Sequence, residues 1–213
     1  MATNYNPAAT LNDGSCLYPA TTVTASQISD LPDVISGTSS LLYWNDGYWT
    51  CNDHSKLMMY KLDTLNGNII DSLLVSETIP YDMEEISQDA EHLYFGDFGN
   101  NANTRTDLHI LRVGKAALLS GTFSIDTIFF TYPDQTDFTA SSQTTDFDCE
   151  SFIVGTDSIY LFTKQWTSLG TSCYAIPKIP GTYIARKCGN LFSLASDEDL
   201  VGGGIGVDSQ YVI

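Results

Sequence analysis

The sequence predicts an all-β fold and, within that class, an incomplete β-propeller. From residue 30 onward, short runs of β-branched and aromatic residues alternate with Asp, Asn and Gly turns, which is typical of antiparallel meanders. One four-strand pattern then recurs along the chain, as it does in propeller blades. A single helical turn is predicted at residues 115–119. The candidate strands are residues 40–44, 47–51, 57–62, 69–75, 83–88, 92–97, 107–113, 123–131, 149–154, 158–163, 172–178, 182–187 and 209–213.

Acidic residues mark the start of each repeated unit. Asp82-Met83-Glu84-Glu85-Ile86 matches Asp148-Cys149-Glu150-Ser151-Phe152, 66 positions later, and the strands that follow keep this offset. Residues 40–75 look like a shorter unit, and residues 200–213 begin another. The sequence therefore predicts about three to four blades of four antiparallel strands. Propellers typically close with about four to eight blades, so the remaining blades would come from a parent chain or a partner.

The charge of the chain argues against one class of partner. The 213 residues include 26 Asp and Glu but only 9 Lys and Arg, which gives a net charge of −17. Nucleic acid binding depends on Lys and Arg that displace counterions from phosphates, so we expect no nucleic acid partner. The sequence has no apolar run of about 18 residues, so we also expect no membrane span. The acidity fits either a well-solvated surface or cation binding.

Acidic and amide side chains are predicted to meet at one end of the propeller channel. The first strand of a blade lines the channel and the second returns beside it, so the start of one lies next to the end of the other. Carboxylate and amide oxygens are the hard ligands that Ca²⁺ prefers. The sequence therefore predicts a site for Ca²⁺ or another cation, formed by Glu84, Glu150, Asp97, Asp53 and Asn52.

A structural interpretation stays open for the acidic residues of the repeat. Asp82 and Asp148 can cap turns by accepting hydrogen bonds from backbone amides. Glu84 and Glu150 can join strand ends of neighbouring blades instead of holding an ion.

Loop residues on the same face predict a ligand site. Asn100 and Asn101 follow one blade hairpin, and Lys164 and Trp166 occupy the equivalent loop one blade later. Such side chains suit a protein or carbohydrate ligand, with Trp166 as the candidate for stacking on a sugar.

One pair of the five cysteines can be placed. The sequence has no Cys-x-x-Cys and no Cys/His spacing typical of zinc sites. If residues 179–182 turn a hairpin, Cys173 and Cys188 lie directly opposite each other, which predicts a disulfide between them. The sequence offers no partner for Cys51 or Cys149.

The first 20 residues form a unit of their own. Residues 1–20 are a partial Asp/Asn-rich Cys repeat and linker, and residues 21–213 are the propeller portion. Asn4-Tyr5-Asn6-Pro7 and Asp13-Gly14-Ser15-Cys16 resemble the short repeats between domains of secreted Bacteroidetes proteins, although the first cysteine of that repeat is missing. The resemblance implies a secreted or cell-surface protein and a longer exported parent chain.

The blade motif resembles that of known propellers. Asp82-x-Glu84 and Asp148-x-Glu150 look like the motif of six-bladed propellers of the SdiA-regulated and esterase-like phytase types. Residues 49–53 and 96–101 resemble segments of secreted Bacteroidetes propellers that carry a C-terminal sorting domain. The resemblance implies that this chain is a fragment of a six-bladed ring.

Two functions follow from these expectations. The first is a secreted binding or scaffold module with Ca²⁺ or another cation at the mouth of the channel. The alternative is a metal-dependent hydrolase of the esterase, lactonase or phosphatase type, in which the same axial carboxylates hold a metal that activates water. Because a propeller fold hosts both kinds of protein, the sequence leaves open whether this one is an enzyme.

Overall fold

The described part of the chain folds into three β-sheets that follow one another along the sequence. The computed structural model describes residues 3, 4, 6–8, 17, 27, 29–53 and 55–193. Each sheet is built on a four-stranded antiparallel meander, and none of the described sheets closes on itself. The predicted strand 209–213 and residues 9–16 of the N-terminal repeat, including Cys16, lie outside the described residues. The described part of the chain is thus an incomplete, all-β propeller of three blades.

The three blades have the following elements. A 3₁₀ turn (Asp33–Ile35) precedes blade 1, whose strands are β1 (Leu42–Trp44), β2 (Gly47–Cys51), β3 (Leu57–Leu62) and β4 (Ile69–Ser76). Blade 2 contains β5 (Met83–Gln88), β6 (His92–Asp97), β7 (His109–Gly114), helix α1 (Lys115–Ser120) and β8 (Asp126–Thr131). The remaining strands are β9 (Asp148–Val154), β10 (Ser158–Lys164), β11 (Gly170–Pro177), β12 (Gly181–Ile184) and β13 (Arg186–Ser193).

The first hairpin shows how local sequence sets the strand boundaries. Trp44 pairs with Gly47, so only Asn45 and Asp46 connect β1 to β2. Both residues have positive φ angles, 48° and 56°. A two-residue turn with two positive φ angles matches the twist of the flanking strands, and Asn and Asp tolerate that conformation better than other side chains.

The blades pack face to face through apolar side chains. One core lies between blades 1 and 2, and a second lies between blades 2 and 3. In the second core the buried ring of Phe98 meets Phe130 and Phe152 edge to face, at centroid distances of 6.3 and 5.5 Å. On the outer face of blade 1, Tyr43 and Tyr48 are exposed.

The last predicted hairpin is correct only in part. Arg186 and Lys187 pair with Ala175 and Tyr174 of β11 in the predicted register. Residues 181–184 do not pair with β11, because they form β12, which runs parallel to β8 and extends the sheet of blade 2 to five strands. The chain then returns as β13, which pairs with β11 and completes blade 3. The prediction failed because β12 pairs with a strand that is distant in sequence, and no local pattern encodes such a choice.

No helix in the described part of the chain has both the length and the apolar character needed to cross a membrane.

The close packing around Phe98 can be tested with a pair of glycine variants. A Cβ atom at Gly96 would overlap the ring of Phe98, whereas a Cβ atom at Gly114 would meet only the Cβ of Ala117, at 3.8 Å. We expect Gly96→Ala to lower the free energy of unfolding by about 1–3 kcal/mol in urea denaturation. Gly114→Ala is the control and should change it by less than about 0.5 kcal/mol. Equal effects of the two variants would contradict this packing.

Candidate functional site

Carboxyl groups from successive blades converge at one end of the first strands. β5 and β9 contact each other across the boundary between blades 2 and 3. As a result Asp82 and Glu84 of blade 2 interact electrostatically with Asp148 and Glu150 of blade 3. Asp53, from the end of β2 in blade 1, adds to the same negative field. We call Asp82, Glu84, Asp148 and Glu150 the carboxyl cluster.

Both glutamates of the cluster occupy β-bulges. In blade 2, Met83 pairs with Asp97 and Glu85 with Gly96, which leaves Glu84 without a partner in the ladder. In blade 3 the register shifts in the same way around Glu150. A bulge inserts one extra residue and redirects its side chain. The repeat in the sequence therefore encodes a repeated backbone irregularity, and each time a glutamate occupies the extra position.

Gly99 lets the backbone approach the cluster closely. A Cβ atom at this position would overlap the carboxyl groups of Asp82 and Glu84. The amide of Gly99 also donates a hydrogen bond to the carbonyl oxygen of Asp82, at 3.2 Å. Gly99 lies within residues 96–101, and no sequence pattern predicted a role for it. Its role is steric, since any side chain here would displace the two carboxyl groups.

Asp148 connects the cluster to two loops. Its carboxyl oxygens accept hydrogen bonds from the backbone amide of Asn100, at 2.6 Å, and from the indole Nε1 of Trp166, at 2.7 Å. Glu150 forms a further side-chain hydrogen bond with Asp148. Asp148 is fully buried. It thus joins blades 2 and 3 and is more than the turn cap that the structural interpretation proposed.

Burial and mutual repulsion favour protonated carboxyl groups in the cluster. Burial, followed by the charges of Glu150 and Asp82, raises the pKa of Glu84 to about 10. Burial and the neighbouring Asp148 raise the pKa of Glu150 to about 8. The pKa values of Asp82 and Asp148 are raised as well, in both cases mainly by burial. Several carboxyl groups in one buried place cannot all ionise without a compensating positive charge.

Lys164 supplies part of that positive charge. Its side chain is only 8% exposed, and its Nζ lies 3.8 Å from Oε1 of Glu150. The same ammonium group lies 3.7 Å from the centroid of the Trp166 ring, within the range of a cation–π interaction. Lys164 and Trp166 thus lie beside the carboxyl cluster, as the sequence predicted. One face of the Trp166 ring is covered by Lys164, and its indole nitrogen is bonded to Asp148.

Asp97 lies on the same side of blade 2 but belongs to a different network. Its two carboxylate oxygens accept hydrogen bonds from the backbone amides of Tyr81 and Asp82, at 2.9 and 3.1 Å. Arg105 donates from Nη1 to Oδ1 of Asp97, at 2.8 Å. Both partners of this ion pair are buried. Asp97 is therefore committed to holding the hairpin ends together, and we leave it out of the cation site proposed below.

Arg105 is the residue that the sequence analysis missed. In addition to its bond with the carboxylate of Asp97, Arg105 donates to the backbone carbonyl oxygens of Gly99 and Asp97. Its Nε also donates to the carboxylate of Asp107, at 3.1 Å. Its guanidinium group also lies 4.7 Å from the centroid of the Tyr81 ring. The flanking sequence, Thr104-Arg105-Thr106, has no periodicity that marks the residue as buried.

The predicted amide residues have mostly structural partners. Asn52 donates to the carbonyl oxygen of Val34 at 2.9 Å and accepts from Ser55, so it holds the loop before blade 1. Asn100 accepts from the backbone amide of Arg105 and donates to the carbonyl oxygen of Phe147. Asn101, by contrast, forms a side-chain hydrogen bond with Asp82. Asn101 thus contacts the carboxyl cluster through its side chain, whereas Asn100 contacts it through its backbone amide.

Comparisons with known proteins give little information about this site. No protein-family model matches the chain, and no curated protein matches it. The solved structure of Myxococcus xanthus glutaminyl cyclase aligns with 71% of this chain and 72% of its own chain, at 11% sequence identity and a TM-score of 0.29. A likeness at this level says nothing about function.

The chemistry of the cluster suits a hard cation, but the ligands are not pre-arranged. Among the residues that the structure describes, no group of three or more His, Cys, Asp or Glu side chains is positioned to hold a metal ion. Ca²⁺ takes about six to eight oxygen ligands, and the four carboxyl groups of the cluster are not arranged around a common point to supply them. A cation at this place would have to displace protons from Glu84 and Glu150.

The raised pKa values predict that the protein loses stability as the pH rises. Glu84 and Glu150 have an ordinary pKa of 4.5 and bind protons more tightly in the folded chain. The folded state is therefore favoured at low pH, and this contribution is lost as the pH rises from about 4.5 through 8 towards 10. Burial raises the pKa of Glu85 to about 8, so Glu85 contributes to the same loss of stability with rising pH.

We expect the free energy of unfolding in urea to fall by roughly 2 kcal/mol between about pH 5 and pH 9, without added cations. The double variant Glu84→Gln, Glu150→Gln should show a clearly smaller fall. Glu77→Gln, at an exposed residue, is the control and should keep the wild-type slope. A stability that rises over this interval would contradict the raised pKa values.

Proposed function

We propose that the protein is a secreted or cell-surface binding module whose carboxyl cluster binds a cation at the end of the propeller channel. The observation that carries this proposal is the meeting of four acidic side chains at the starts of the first strands of two successive blades, where Asp148 is fully buried and the other three are partly buried. The likeness of residues 1–20 to repeats of secreted proteins supports export.

The imbalance of charge around the cluster supports a cationic ligand. Besides the four carboxyl groups, Asp53 adds negative charge from blade 1. Lys164 lies beside Glu150, but Arg105 is already paired with Asp97 and Asp107. A bound cation would stabilise the ionised carboxylates and would be held most strongly where the surroundings exclude water. Ca²⁺ is the cation to test first because the available ligands are hard oxygens.

The positions of the neighbouring carboxyl groups favour binding over hydrolysis. A hydrolase of the type considered above needs, beside the metal, a carboxylate that can act as general base. Asp97, on the same side of blade 2, is already bonded to Arg105 and to two backbone amides. The cluster itself would be engaged in holding the cation, so it is better suited to bind an ion than to take a proton from water.

Thermal unfolding with and without Ca²⁺ tests this proposal. We expect millimolar Ca²⁺ to raise the Tm of the wild-type protein, relative to chelator, by roughly 5–10 °C if the ion is present at about 100 times its Kd. The variant Glu84→Gln, Glu150→Gln should lose this rise. Glu85→Gln is the matched control, because Glu85 is also buried with a raised pKa but accepts its hydrogen bond from the backbone amide of Ile86.

The protons released on binding give a second measurement. If Ca²⁺ displaces protons from Glu84 and Glu150, the calorimetric heat of binding near pH 7 should depend on the ionisation enthalpy of the buffer. Mg²⁺ should bind more weakly, since it demands a tighter octahedral arrangement. If the Tm responds neither to Ca²⁺ nor to organic amines, the cluster has only a structural role between blades. If the Tm responds to amines alone, the ligand is an ammonium group and not Ca²⁺.

A further inference from the structure

Two cysteines that the carboxyl cluster does not use lie next to each other on blade 3. Cys173 belongs to β11 and Cys188 to β13, the adjacent strand of the same sheet. Cys188 is near enough to Cys173 to raise its pKa, while each thiol donates a weak hydrogen bond to a backbone carbonyl oxygen, Cys173 to that of Tyr174 and Cys188 to that of Arg186. Cys51 and Cys149, in contrast, are each fully buried in an apolar core. The pair is remote in sequence from the cluster and is independent of the function proposed above.

The register around this pair differs from the sequence prediction by one residue. Cys173 pairs with Gly189, and Tyr174 pairs with Lys187, so Cys188 is the extra residue of a β-bulge. Gly189 has a φ angle of 154°, which glycine adopts more readily than other residues. The bulge leaves Cys188 outside the regular ladder, beside Cys173 and not directly opposite it.

The two thiols differ in their access to solvent. Cys188 is exposed, whereas Cys173 is buried in the sheet. Burial and the neighbouring Cys188 raise the pKa of Cys173 to about 11. A small oxidant in solution therefore reaches Cys188 first, and Cys173 is placed to react afterwards.

We propose that Cys173 and Cys188 form a cross-strand disulfide that acts as a clasp between blades 2 and 3. The chain between these two residues contains β12, which leaves blade 3 and pairs in parallel with β8 of blade 2. The amide of Ala185 donates a further hydrogen bond to the carbonyl oxygen of Thr131, at 2.9 Å. A disulfide would fix both ends of this excursion to blade 3 and so hold β12 against its neighbour.

The reaction is an exchange with a small-molecule disulfide. The Cys188 thiolate attacks one sulfur of the oxidant, forms a mixed disulfide and releases one small thiol. The Cys173 thiol then loses its proton, attacks the Cys188 sulfur and releases the second small thiol. One S–S bond is broken in the oxidant and one is formed in the protein, so that two protons and two electrons pass from the cysteines to the two released thiols.

The test uses the full chain, reduced and then equilibrated with oxidised glutathione. Peptide mapping without reductant should show one linked peptide, joining Cys173 to Cys188. Closing a loop of this size should raise the Tm of the oxidised protein by roughly 5–10 °C over the reduced protein. Amide hydrogen exchange in β12 should slow on oxidation. Cys188→Ser should abolish all three effects, and Cys16→Ser is the control that should keep them.

Two kinds of result would overturn the proposal. A stable glutathione adduct on Cys188, five free thiols after oxidation, or a linked peptide containing Cys16, Cys51 or Cys149 would show that this pair does not close. A Cys173–Cys188 link that changes neither the Tm nor hydrogen exchange in β12 would show that the bond is not a clasp.

Discussion

The structure depends on the burial of blade faces against each other. Each sheet is apolar enough on its faces that it needs a neighbouring blade, and the two cores between the three blades meet this need. Packing of this kind brings the first strands, β5 and β9, side by side. Side chains at the starts of these strands therefore meet although they are far apart in sequence. The carboxyl cluster is a direct result of how the blades are stacked.

Stacking alone would place acidic groups together at a considerable cost in free energy, and the chain reduces this cost in two ways. The raised pKa values of Glu84 and Glu150, which occupy equivalent bulges, favour their neutral forms, and Lys164 places a positive charge beside Glu150. The nearby Asp97 lies outside the cluster and bonds instead to Arg105 and to two backbone amides. Similar carboxyl groups a few residues apart thus have different roles, set by their partners.

Features that rest on local pattern were predictable from the sequence, and those that rest on distant contacts were not. The strands from β2 to β7 follow alternating apolar residues and turn signals, and their predicted bounds agree closely with the observed ones. The convergence of Glu84 and Glu150 followed from the repeat. The burial of Arg105 could not be predicted, because a single arginine between threonines carries no periodicity. The pairing of β12 with β8 depends on the distance between blades, and local sequence patterns carry no information about that distance.

The parallel strand β12 also bears on how the molecule assembles during synthesis. Blade 2 can form its four-stranded meander early, but its outer edge at β8 stays unpaired until the chain has been made as far as β12. An open strand edge on a nascent chain is a site for pairing with the wrong partner. Long-range pairings of this kind also form slowly, because the intervening chain must first be ordered. Strand β12 thus protects the outer edge of blade 2, and synthesis interrupted before β12 would leave an aggregation-prone intermediate.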